Sequence, residues 1–102
     1  MNYRPVVLAG ALLALCGSAQ AQVMEPLQVR SMAAACAGCH GTHGLAESGH
    51  PSLAGVSRDE LLQKMLDFKT GSKPATLMHQ LTRGYSDEQL GALAGYFSVQ
   101  KK

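Results

Sequence analysis

The chain has 102 residues, enough for one small domain. Nine Lys and Arg face seven Asp and Glu, a balance too even to give the basic face that neutralises nucleic-acid phosphates. Trp is absent and aromatics make up 5% of the residues, so a chain of this size is short of buried apolar surface and needs another source of it.

In chain order, the first segment is a leader. Arg4 gives a basic start, Val6 to Leu15 is an unbroken apolar run, and Ser18-Ala19-Gln20-Ala21 supplies the small-residue exit of a cleavage site. The run is shorter than the ~20 residues that span a bilayer, which favours a cleaved signal over a retained anchor and no stable membrane insertion after cleavage. Cys16 reads as an apolar residue of this leader. The expected division is therefore a signal peptide over 1–21, cleaved near Ala21 for export to the periplasm, and one domain over 22–102.

The mature chain reads as all-α. Leu27 to Ala37, rich in Ala and opening just after Pro26, predicts a first helix. Gly38 to Ser57 holds five glycines and Pro51 and reads as a loop. Ser57-Arg58-Asp59-Glu60 has the spacing of a capping box, and Leu61, Leu62, Met65, Leu66 and Phe68 follow at helical spacing until Gly71 and Pro74 stop the helix. Ala75 to Arg83 predicts a short helix ending at Gly84. Ser86-Asp87-Glu88-Gln89 repeats the capping pattern, and Leu90, Leu93, Ala94 and Phe97 mark one face of a last helix ending near Gln100.

The chemistry sits in Cys36-Ala37-Gly38-Cys39-His40, a C-x-x-C-H sequence. A thioredoxin-like motif needs a strand and a βαβ pattern around it, and neither is present. A zinc site needs two further ligands at suitable spacing, and His43, His50 and His79 form no second pair. A disulfide across three residues closes too small a loop to stabilise much. A c-type haem fits: the two thiols bond to the vinyl groups along one edge of the porphyrin, and the next imidazole turns under the ring to reach the iron. The covalently held macrocycle also supplies the apolar body that the composition lacks.

His40 is thus the proximal iron ligand, with Cys36 and Cys39 as haem thioethers. For the opposite face the mature chain offers Met24, Met32, Met65, Met78, His43, His50 and His79. Met24 and Met32 lie on the cysteine side, His43 follows His40 too closely, Met65 belongs to an apolar stripe and His50 to the glycine-rich loop. Met78 and His79 remain, both placed after a break that can return the chain over the far face. Lys69, Lys73, Arg83, Lys101 and Lys102 are candidates for a cationic rim that steers an acidic partner, or are plain solvated charges. Met65, Leu66 and Phe68 are candidates for the haem pocket and equally for the core.

The segments "CAGCHG" (Cys36–Gly41), "PSLAG" (Pro51–Gly55), "LDFKTG" (Leu66–Gly71) and "ATLMHQLTRGYSDEQLGALAGYF" (Ala75–Phe97) resemble class I c-type cytochromes, and within them the single-haem cytochrome subunits of flavocytochrome c sulfide dehydrogenases. The resemblance implies the class I cytochrome c fold, with the first and last helices crossing around one haem. It implies Met78 as the distal iron ligand and a carbonyl from Pro51 that receives the ring N–H of His40. It further implies a non-catalytic role: electrons pass from a sulfide-oxidising flavoprotein subunit through the haem to other redox proteins. A free monohaem carrier is the alternative, and a haem peroxidase or sensor with a displaceable sixth ligand a more distant one.

Overall fold

The computed structural model describes residues 24–102, and the expected leader lies outside them. Five helices follow one another: α1 (Pro26–Ala34), α2 (Ala37–His40), α3 (Arg58–Thr70), α4 (Met78–Arg83) and α5 (Asp87–Ser98). No strand occurs among the described residues. The fold is the all-α class I cytochrome c arrangement, with α1 packed against α5 and α3 packed against both α4 and α5.

The first helix differs from the expected Leu27–Ala37. Pro26 is its first residue, where a missing N–H costs nothing. It ends at Ala34 because the chain tightens: Ala35 N–H bonds to Met32 O at 3.1 Å and Cys36 N–H to Ala33 O at 3.0 Å, both three residues back. The chain then re-enters a single helical turn over Ala37–His40, most of it inside the segment Gly38–Ser57 expected to be loop. The break puts Cys36, Cys39 and His40 on a turn separate from α1.

The capping patterns meet different fates. Before α5 the box is complete: Gln89 N–H donates to Ser86 Oγ at 3.1 Å and Ser86 N–H to Gln89 Oε1 at 2.8 Å. Before α3 only half forms, with Glu60 N–H donating to Ser57 Oγ at 3.2 Å. The Glu60 carboxylate instead takes Lys64 Nζ at 2.8 Å, one turn further on, and this partner holds it below the usual carboxylate range. Gly71 ends α3 at φ +83°, a left-handed position that glycine fills without strain. The short helix α4 starts at Met78 rather than Ala75 and stops before Gly84 as expected. The last helix ends at Ser98, two residues short of expectation.

The core is small. Ala33 of α1, Leu61 of α3 and Leu93, Ala94 and Phe97 of α5 form one buried cluster, and Ala94 is fully enclosed. The small residues Ala33 and Ala94 let α1 and α5 approach closely. Leu90, expected at this crossing, is buried but faces elsewhere, into the cavity described below. Lys69 ties the end of α3 to the start of α5, donating to Tyr85 O and pairing with Asp87, each at 2.8 Å.

Candidate functional site

The helices leave a large cavity, about 590 Å³, between α2, α3, the 73–77 segment, α4 and α5. Its walls come from the two apolar stripes read in the sequence. Leu61, Met65 and Phe68 face it from α3, and Leu90, Leu93, Ala94 and Phe97 from α5. Leu66, the remaining pocket candidate of α3, is not part of the wall. The volume lies within the ~300–1,000 Å³ range of cofactor sites.

Cys36, Cys39 and His40 open onto this cavity from the α2 turn. Both cysteines are free thiols, Cys36 half-buried and Cys39 exposed. Burial pushes the Cys36 thiol above its ordinary range, so it stays protonated at neutral pH. Among the described residues no three His, Cys, Asp or Glu side chains converge as a metal-binding group, which counts against the zinc alternative.

His40 is buried, and its Nδ1 lies 2.7 Å from the carbonyl oxygen of Pro51. A carbonyl only accepts, so Nδ1 carries the proton, and in the neutral ring Nε2 is left with its lone pair. The backbone of the glycine-rich loop sets this contact. Gly44 sits at φ +79°, and its carbonyl accepts from Leu53 N–H at 2.7 Å and Ala54 N–H at 3.1 Å. Those bonds fold the loop back and place Pro51 beside the His40 ring. Gly55 N–H donates to Phe97 O at 3.0 Å and fastens the loop to α5. His50 is exposed, lines the cavity, and stands edge-on to the His40 ring with centroids 6.3 Å apart.

Among the candidates for the opposite face, Met65, Met78 and His50 line the cavity, His50 beside the His40 ring; Met24, Met32, His43 and His79 do not. Met78 opens α4, where Thr82 Oγ1–H donates to the Met78 carbonyl at 2.8 Å. Thr82 is almost fully buried and forms part of the wall. The neighbouring His79 points away, with Nδ1 buried and lacking a hydrogen-bond partner.

Sequence reasoning missed Thr82, Tyr85, Leu53 and Lys64 as wall residues. Thr82 stands one turn after Met78, so helical spacing alone could have pointed to it. Lys64 looks like a solvated charge in sequence, since its neighbours give no sign that its stem covers apolar wall. The expected cationic rim is also redistributed. Lys73 lines the cavity, whereas Lys69, Arg83, Lys101 and Lys102 do not. Lys69 is spent on the α3–α5 tie, and a Cβ placed on Gly55 would lie 2.7 Å from the Lys102 stem, so Lys102 packs on the loop.

These residues fit a covalently bound haem. Two free thiols stand on one wall, an imidazole is held in the tautomer that leaves a nitrogen lone pair, and the surrounding cavity is apolar and macrocycle-sized.

The Cytochrome c family profile matches residues 29–99. The chain is 35% identical to the cytochrome subunit of sulfide dehydrogenase of Chlorobaculum tepidum, over 96% of this chain and 93% of that protein. It is 37% identical to cytochrome c4 of Pseudomonas aeruginosa over 71% of this chain. It is 34% identical to the thiosulfate dehydrogenase electron acceptor of Stutzerimonas stutzeri over 85% of this chain. Of those last two proteins it spans 36% and 44% of the length. The chain therefore belongs to the cytochrome c family, as an electron-transfer protein that carries covalently bound haem c.

Proposed function

We propose that the mature chain, residues 22–102, is a periplasmic one-electron carrier whose haem is linked to Cys36 and Cys39 and whose iron is bound by His40 and Met78. The observation that carries this reading is the placement of His40 and Met78 on the walls of one cavity, with His40 Nδ1 committed to the Pro51 carbonyl. When bound, the haem supplies a reversible ferrous–ferric couple.

The residues divide the work. Pro51 fixes the ring plane of His40 and, by accepting its N–H, raises the basicity of Nε2. Met78 offers a thioether, which raises the reduction potential relative to a second imidazole. Leu61, Phe68, Leu90 and Phe97 keep water from the site, which favours the less charged reduced state. The export assignment rests on the leader pattern of residues 1–21. Among the described residues no helix is long and apolar enough to cross a membrane.

Carbon monoxide tests the ligation. The reduced wild-type holoprotein should leave carbon monoxide unbound, and Met78→Ala should bind it readily. Rapid binding by the wild type would support a sensor or peroxidase instead.

For the partner we propose a flavoprotein that oxidises sulfide and passes electrons to this chain. The near full-length likeness to a sulfide dehydrogenase cytochrome subunit supports that assignment. Purification from the native periplasm should yield a stoichiometric flavoprotein that reduces the haem when sulfide is added. A lone cytochrome that this mixture leaves oxidised would contradict the subunit reading and leave the free carrier.

A further inference from the structure

Among the described residues, the cavity wall carries two full charges, Lys64 and Lys73, and no carboxylate. They are not equivalent. Lys64 Nζ is paired with Glu60 at 2.8 Å. Lys73 makes no ion pair among the described residues. Its ammonium is held 5.3 Å from the centre of the Phe68 ring, another wall residue. That cation–π contact orients the charge without neutralising it. Backbone geometry sets the position: Gly71 turns the chain at φ +83°, and Lys73 N–H donates to Asp67 O at 3.1 Å, which folds residues 71–73 back against the end of α3.

Lys73 is exposed at the edge of this wall, and its unpaired charge is free to meet an anion that the occupant brings. Haem c brings two carboxylates, its propionates, on the edge of the macrocycle remote from the thioether links. The thioether edge belongs to the Cys36–Cys39 turn, so the carboxylates belong to other walls. Lys73 stands on one of these, the segment between α3 and α4.

We propose that Lys73 binds a propionate carboxylate of the haem and that Lys64 does not. The proposal rests on the reading that this cavity holds the haem. The pair is charge-assisted, and the Phe68 ring orients its cation. Neutralising a carboxylate near the iron favours uptake of an electron, so Lys73 raises the potential as well as seating the ring. A role in partner docking alone would leave the Overhauser contacts and the propionate band of the isolated protein independent of Lys73.

The test uses the full haem-loaded chain. In the reduced wild type, nuclear Overhauser contacts should join the Lys73 side-chain methylenes to propionate methylene protons. In resonance Raman spectra, Lys73→Gln should move the propionate bending band, Lys73→Arg should restore it, and Lys64→Gln should leave it in place. Lys73→Gln should also shift the equilibrium with a one-electron reference couple about three- to tenfold toward the oxidised protein, which is roughly 30–60 mV lower. Absence of the Overhauser contact, or a propionate band unmoved by Lys73→Gln, overturns the proposal. So does a Lys64→Gln variant that moves the band as far. The near-infrared sulfur-to-iron band of the same ferric samples reports axial ligation separately, so failure of the Lys73 assignment is distinguishable from failure of the haem reading.

Discussion

Gly44 shows how a residue with no chemistry of its own governs the setting of His40. Its carbonyl gathers Leu53 and Ala54 N–H, and the loop between them and His40 carries Pro51 into place. The position admits no side chain: φ is +79°, and a Cβ would meet Phe97 Cδ1 at 2.8 Å and Ala54 N at 2.9 Å. Left-handed backbone costs an alanine about 1–2 kcal/mol, and the clash in a packed site about 1–3 kcal/mol. Gly44→Ala should therefore lower holoprotein stability by about 2–5 kcal/mol in urea unfolding. Gly49, also at positive φ but with open space around it, should lose only the backbone part, about 1–2 kcal/mol. Equal losses would show that the Gly44 contacts do not matter. At this scale the sequence is most legible where covalent chemistry dictates spacing: the proposed attachment at Cys36, Cys39 and His40 rests on the geometry of a porphyrin edge. Gly44 is not legible in this way, because its requirement comes from Phe97, more than fifty positions later in the chain.

At the scale of elements, periodicity found the two stripes that wall the cavity, since a 3.6-residue repeat records burial whatever the buried surface meets. It could not separate the part of a stripe that packs on protein from the part that faces the cavity. Leu93 does both, joining the core cluster and lining the cavity, whereas Leu62 only packs on the core. End points were less legible. The break after Ala34 is made by three-residue hydrogen bonds in an Ala-rich run whose propensity favours continuing the helix. The two capping patterns look alike in sequence, yet Glu60 has Lys64 one turn away to compete for it, while Gln89 has no such charge to answer. Ser86→Ala removes the side chain at the centre of a complete box and should cost about 1–2 kcal/mol. Ser57→Ala, at the half-formed box, should cost about 0.5–1 kcal/mol. Chemical denaturation followed by far-ultraviolet circular dichroism measures both, and a larger loss at Ser57 would contradict the assignment.

At the scale of the whole molecule, the missing aromatics and the cavity are two descriptions of one fact. The protein's own core is a short cluster around Ala94, and the helices α3, α4 and α5 turn much of their apolar surface to a space they do not fill. On the proposed reading the haem is the larger part of the interior, and covalent attachment keeps it there in a chain that could hold it only loosely by packing. The sequence told of this deficit at once, through composition, but not of the shape that answers it. The sequence left Met78 and His79 for the far face and family likeness favoured Met78; the structure keeps Met78 on the wall, not His79, and puts Met65 there too. The decisive measurement is the weak near-infrared sulfur-to-iron band of the ferric holoprotein, recorded for the wild type and for Met78→Ala. The account predicts the band in the wild type and its loss in the variant. A band that survives the substitution would assign the sulfur to Met65 or another residue and contradict the central claim.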